Sequence, residues 1–341
     1  MRTQHAGGLN RRRFLGGLTL ARTAALLGLQ AREVAAEPPP ETTTLRLVVS
    51  RDSICTAPLF LAEEFLPSEG FTDVHYVKKE TTAEMRQALA STEGHLGTLF
   101  SAPSLILIEE GNPLVFLAGL HVGCLELFGT DRVRAVRDLK GKTVAVLDLG
   151  GSQHTFLASM LTYVGLDPRH DINWVVISRP EAVQLLAEGK IDAYLASPPQ
   201  TQELRAKQIG HMVVNTMMDR PWSQYFCCIA TGNREFVRDH PVATKRALRA
   251  LLKALDVCAR EPERAARFLV NKGHTANYDY ALQAMREIPY GQWREYNPED
   301  TVRFYALRLH EAGMLKSSPQ KIIAQGTDWR FLNELRKELK G

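Results

Sequence analysis

Short apolar runs and helical apolar periodicity alternate along most of the chain. Residues 45–49 (Leu-Arg-Leu-Val-Val) read as a buried strand, and residues 58–66 as a helix stopped by the turn at 67–70. Residues 74–77 predict a second strand, 83–90 a helix, 96–100 a third strand, 101–109 a helix and 114–120 a fourth strand. Past Gly123 the pattern starts again. A polar turn at 138–142 leads into a strand over 143–147. A Gly-Gly turn then opens a helix that runs to Val164 and ends at Gly165. Strands over 174–177 and 193–196 flank a helix over 181–188. A last strand or bend at 224–230 precedes a mainly helical tail, where Asn233 is placed to cap a helix and residues 243–259 form a longer amphipathic one. Strand and helix alternating at short intervals argue for an α/β fold. The restart argues for two lobes: residues 45–123 with 228–341, and residues 124–227.

The 341 residues exceed what one small core needs, in agreement with two lobes. With 45% apolar and 23% charged residues the composition is ordinary. The net charge of +4 comes from the N-terminus. Residues 1–36 carry six arginines and one acid, and the remainder holds 36 basic against 37 acidic side chains. Nothing there invites nucleic acid. The charged start, short apolar stretch and small-residue end of 1–36 read as a secretory signal, and Arg11-Arg12-Arg13-Phe14-Leu15 resembles the twin-arginine export motif. Arg22 and Arg32 keep the apolar run too short to span a bilayer. The expectation is a periplasmic monomer, without membrane insertion of the mature chain, behind an extended tether at 37–44.

Four stretches follow in order: Ala57-Pro58-Leu59-Phe60-Leu61-Ala62, Asp138-Leu139-Lys140-Gly141-Lys142-Thr143-Val144-Ala145-Val146, Gly189-Lys190-Ile191-Asp192-Ala193 and Asn233-Arg234-Glu235-Phe236-Val237. On these, residues 45–255 resemble periplasmic substrate-binding proteins of the nitrate/sulfonate/taurine and thiamine-precursor type. The resemblance implies a bilobal Venus-flytrap fold that holds a small solute, here an anionic sulfonate- or carboxylate-like one, and delivers it to an ABC permease. Glu93-Gly94-His95-Leu96-Gly97 departs from the family's usual Gly-x-Val-Asp-type turn. The alternatives are a pyrimidine or thiamine-precursor protein of the same fold, and a cleft linked by cysteines or a metal.

Ligands of open α/β sheets bind beyond the carboxyl ends of strands. That rule singles out Arg51, Ser53, Ser101, His121, the turn Gly151-Ser152-Gln153-His154-Thr155, Ser197 and Tyr225. The turn opens a helix, whose free N–H groups and dipole favour an anion. It lacks the Lys-Ser/Thr of a phosphate loop and the third glycine of a dinucleotide fingerprint. Ser152 and His154 lack the G-x-S-x-G context of a nucleophile elbow, so no enzyme activity and no cofactor are expected. Trp222, Tyr225 and Phe226 serve equally as ligand-stacking rings or as core.

Five cysteines are too few for a disulfide framework, and their odd count leaves one unpaired within the chain. Cys55, His121, Cys124, His154, Cys227 and Cys228 all fall on cleft or hinge segments. A soft S/N set of this kind suits a transition metal, yet none shows C-x-x-C or H-x-x-x-H spacing, and strand neighbours Cys227 and Cys228 should face opposite sides. The expectation is independent buried thiols without a metal, with a disulfide from Cys124 to Cys227 or Cys228 as the alternative.

Overall fold

The computed structural model describes residues 37–50 and 53–340. The N-terminal signal reading and Arg51 lie outside the described residues.

Two five-stranded mixed sheets organise the chain from Pro39 onward. The first contains β1 (Thr44–Ser50), β2 (Asp73–Lys79), β3 (Leu96–Phe100) and β4 (Leu114–Val122). The second contains β5 (Glu126–Gly129), β6 (Thr143–Val146), β7 (Asn173–Val176), β8 (Ala193–Ala196) and β9 (His211–Asn215). The chain then returns to the first sheet as β10 (Phe226–Asn233). The strand orders are β2-β1-β3-β10-β4 and β7-β6-β8-β5-β9. Each sheet thus repeats one plan. The fourth place is taken by the strand that has just arrived from the other lobe, and it lies antiparallel to both neighbours in the first sheet and in the second alike. All nine residues of β4 and all eight of β10 are buried, as continuous apolar strands covered on both faces must be.

The predicted strands are present, and Asn233 accepts hydrogen bonds from the Glu235 and Phe236 amides, capping the Arg234–Asp239 helix. The two strands β5 and β9 have no counterpart in the sequence reading. Glu-Leu-Phe-Gly and His-Met-Val-Val-Asn are too short and too polar at their ends to show a period.

The chain crosses between lobes twice, and the crossings are tied together. Thr216 Oγ1 accepts hydrogen bonds from the Cys124 amide (3.2 Å) and the Leu125 amide (3.0 Å) and donates to the Leu125 carbonyl (2.7 Å). Gly123 is required there. Its φ is +56°, and a Cβ would lie 2.5 Å from the Met217 nitrogen. Helices of the C-terminal tail cover the first lobe. The Pro241–Arg260 helix buries an Ala/Leu face, while Arg249 and Lys253 each hold the buried Glu69 carboxylate at 2.7 Å. The segment before β1 is docked, because Glu41 accepts from the Val242 and Ala243 amides at the start of that helix.

A second contact between lobes is electrostatic. Arg205, on the Gln200–Ala206 helix beyond β8, meets Glu287 on the Tyr278–Glu287 helix of the tail at 2.5 Å. Its other face lies 3.5 Å from Glu126, which is fully buried and accepts no hydrogen bond. Burial pushes the Glu126 carboxyl up to about 7; Arg205 pulls the other way and Glu287 adds to the rise. The folded state therefore binds this proton more tightly than the unfolded chain, so the stabilisation is complete below the ordinary value of 4.5 and is lost as pH rises through 7. Glu126→Gln should melt above the wild type at pH 8, by at most about 3 kcal/mol, and the gap should close toward acid pH. Parallel pH profiles in chemical denaturation would count against a protonated Glu126.

Candidate functional site

Between the two sheets, at the carboxyl ends of β1, β3 and β8, lies a cavity of about 30 Å³. That is room for a water or two rather than a solute. Hydroxyls dominate its wall: Ser50, Ser53, Thr56, Thr82, Thr98, Ser152 and Ser197, with the Gln153 amide. Arg179 and Glu80 add one charge of each sign, and Cys55 and Cys228 form part of the wall.

The Ser152–Tyr163 helix points its start into this space. Its N-cap, Gly151, has no side chain to cap it, and its first turn holds no acid. The helices Thr82–Ala90, Arg179–Ala187, Arg234–Asp239 and Tyr278–Glu287 are each capped by a side-chain oxygen, whereas Ser101–Glu109, Gln200–Ala206, Pro241–Arg260, Pro262–Asn271 and Arg330–Glu338 share the uncapped start; what sets the Ser152 helix apart is that its start faces the cavity. An uncapped N-terminus leaves amide donors and a partial positive charge facing the cavity. Ser152 also bridges the lobes, since its hydroxyl shares a 2.8 Å hydrogen bond with Thr82 of the first lobe.

The other residues of the turn face inward. Thr155 donates to the Gly150 carbonyl (3.1 Å), and His154 Nδ1 accepts from the Gly150 amide (3.1 Å). Burial lowers the His154 pKa, which suits a neutral acceptor, and the ring sits edge-on to Trp174 at 4.7 Å. Gly150 takes φ +79°, and a Cβ on Gly151 would lie 1.9 Å from the Asp148 carboxylate. Burial raises the Asp148 pKa against the opposing pull of Arg86 and Arg179.

Of the residues singled out from sequence, Ser53, Ser152, Gln153 and Ser197 meet at the cavity. Ser101 is spent on a 2.8 Å bond to the Phe226 carbonyl. Tyr225 lies elsewhere, stacked on Phe304 at 3.9 Å along an outer groove. Trp222 meets Tyr163 and Phe304 edge-on, and Phe226 is wholly buried. Thr82 and Arg179 were missed; both open helices, and only the fold brings those helix starts to the cleft.

His121 is buried beneath the cavity, and the thiols there are not independent. The ligand atoms of Cys55, His121, Cys124 and Cys228 all lie within 4.8 Å of one another. Cys227 Sγ stands 3.3 Å from Cys124 Sγ, far beyond the roughly 2.05 Å of a disulfide. Cys227 and Cys228 both reach Cys124, despite strand alternation, because the register of β10 against β4 slips on either side of Cys228. Burial alone would raise the Cys228 thiol. Hydrogen bonds from Cys124, Cys227 and Cys55 and the charge of His121 instead hold it well below the ordinary thiol range. Burial would likewise lower His121, yet the Cys228 thiolate keeps it well above the usual imidazole value. His154, grouped with these residues from the sequence, is not among them.

Residues 38–270 match the sequence profile of the NMT1-like family. The chain belongs to that family. Among relatives, this NMT1-like protein is 22% identical to the nitrate/nitrite binding protein NrtA of Nostoc sp. over 73% of its own length and 63% of the relative's. It is 23% identical to the taurine-binding periplasmic protein of Escherichia coli over 59% of its length and 65% of that protein's. The match thus spans a little under two thirds of these relatives. The fold is that of periplasmic binding proteins. The nitrate-binding protein NrtA of Synechocystis superposes with a TM-score of 0.73 at 18% identity, over 89% of this chain and 90% of that one. The alkanesulfonate-binding protein SsuA of Xanthomonas axonopodis superposes at 0.65 and 19% identity, over 82% and 96%.

The Thr82–Ser152 bond joins the two lobes directly. Thr82→Val and Ser152→Ala should each destabilise the protein by about 0.5–1.5 kcal/mol, and the double variant should cost no more than either alone. Strict additivity in denaturation would show that the two hydroxyls do not act as a pair.

Proposed function

We propose that this chain is the solute-binding component of an ABC importer, and that it closes its two lobes on a small anion of the sulfonate or carboxylate class. The observation that carries the reading is the uncapped start of the Ser152–Tyr163 helix, facing a hydroxyl-lined cavity between the sheets. Donors dominate that wall, and Arg179 adds a cation to it. One relative is named for nitrate and nitrite, which are anions, and another for taurine, which carries a sulfonate; both support the reading. Contacts to a ligand from both lobes exist only when the lobes are closed, so binding shifts the population toward closure.

The role is capture rather than catalysis. Ser152 is engaged by Thr82 and His154 by the Gly150 amide, so the two form no nucleophile–base pair. On this reading the partner is a membrane permease and the compartment the periplasm, reached by the twin-arginine route. No described helix is long and apolar enough to cross a membrane.

Thermal-shift and calorimetric titration with nitrate, taurine, longer alkanesulfonates, carboxylates and neutral pyrimidines tests this. One anion class should stabilise the protein by about 2.7 kcal/mol at a hundredfold excess over its Kd. Gln153→Ala should weaken that anion roughly fivefold to tenfold. Binding of a neutral pyrimidine with no response to any anion would overturn the proposal.

A further inference from the structure

We infer that Cys55, His121, Cys124 and Cys228 form a closed Cys3His site for one thiophilic metal ion of the zinc class, seated beneath the cavity where the two lobe crossings meet. The inference stands whether or not the cavity binds an anion.

Four donors, all within 4.8 Å of one another, match a small tetrahedron. With zinc–sulfur bonds of about 2.3 Å and a zinc–nitrogen bond of about 2.0 Å, its edges would be about 3.5–3.8 Å. All four residues are at most 2% exposed, so water does not compete for the ion. Tyr290 closes the site from the tail, its ring edge-on to His121 at 5.4 Å. A closed set of three thiolates and one imidazole is the chemistry of structural zinc; carboxylate-seeking ions such as magnesium or calcium find no oxygen ligand in the set.

Two further observations point to a ligand here. His121 Nδ1 lies 2.8 Å from the Gly123 carbonyl, which can only accept, so Nδ1 carries a proton and is fixed on that side of the ring. Nε2 is then the ring atom turned toward the thiols, fully buried and without a hydrogen-bond partner. That arrangement is how a protein orients a metal-binding imidazole. Cys124 meanwhile takes φ +147°, a backbone state that suits glycine, in a chain segment held from outside by Thr216. A cysteine in that state is strained, and its thiol stands among the cluster donors.

The elements that supply the donors state what the ion would do. Cys55 belongs to the turn after β1, His121 ends β4, Cys124 is on the outgoing crossing and Cys228 on the returning strand β10. One ion would therefore join both crossings to the cavity wall formed by Cys55 and Cys228. It would also hold Cys124 away from Cys227, its neighbour at 3.3 Å.

The test uses the full chain, purified anaerobically with reductant. Elemental analysis with native mass spectrometry should find about one equivalent of zinc, or uptake of one equivalent when Zn²⁺ is added. Replacement by Co²⁺ should give thiolate-to-metal charge-transfer bands and the intense d–d bands of a tetrahedral site. X-ray absorption on the zinc form should return three sulfurs near 2.3 Å and one nitrogen near 2.0 Å. Cys228→Ser and Cys124→Ser should each lower zinc affinity at least tenfold in chelator competition. Cys258→Ser, which removes a buried thiol outside the cluster, should not change it. The wild-type absorption measurement holds even if a cluster variant fails to fold. Protein that takes up neither Zn²⁺ nor Co²⁺, or that binds them equally well after Cys228→Ser, would overturn the site. So would a chain isolated quantitatively as a Cys124–Cys227 disulfide with no metal.

Discussion

The fold depends on two backbone crossings that lie side by side and share one threonine. Thr216, arriving from the second lobe, satisfies the amides of Cys124 and Leu125 on the way out. Each crossing then becomes a strand in the far sheet, antiparallel to its new neighbours. A sheet that borrows a strand from the other lobe cannot be pulled away as an independent body.

Three kinds of contact meet around this hinge, and they differ in what disturbs them. Above it, Thr82 and Ser152 make a neutral hydrogen bond across the cavity mouth, beside a helix start that no side chain caps. At one flank, Arg205 bridges Glu287 of the tail and the buried Glu126, a contact whose strength depends on protonation. Below, four thiols and His121 fill the space between the crossings, and burial there makes thiolate and imidazolium depend on each other. The cavity, the charged contact and the sulfur cluster therefore all lie where the two lobes meet.

Much of the architecture was legible because it rests on local pattern. Residues 45–49, 96–100 and 143–147 are apolar runs bounded by turn residues, and buried strands read that way. Strands β5 and β9 were not legible, since four or five residues with a buried glutamate or a leading histidine carry no period. For the site, the rule that ligands gather at strand carboxyl ends brought out Ser53, Ser152, Gln153 and Ser197. It also brought out Ser101, His154 and Thr155, whose polar atoms turn out to be engaged with nearby backbone. A sequence shows that a polar side chain lies at a strand end, but not whether a carbonyl already holds it.

The chain by itself determined the alternation of strand and helix, the restart after Gly123, the Asn233 cap and the Gly-Gly turn, because each follows from side-chain size, polarity and backbone freedom within a few residues. Tertiary structure alone decided what faces what. Thr82 meets Ser152 across 70 positions, and a register slip in β10 lets two adjacent cysteines reach one partner that lies over 100 positions away. Those contacts are set by how the sheets are threaded, and threading costs or gains free energy only when distant segments are packed together.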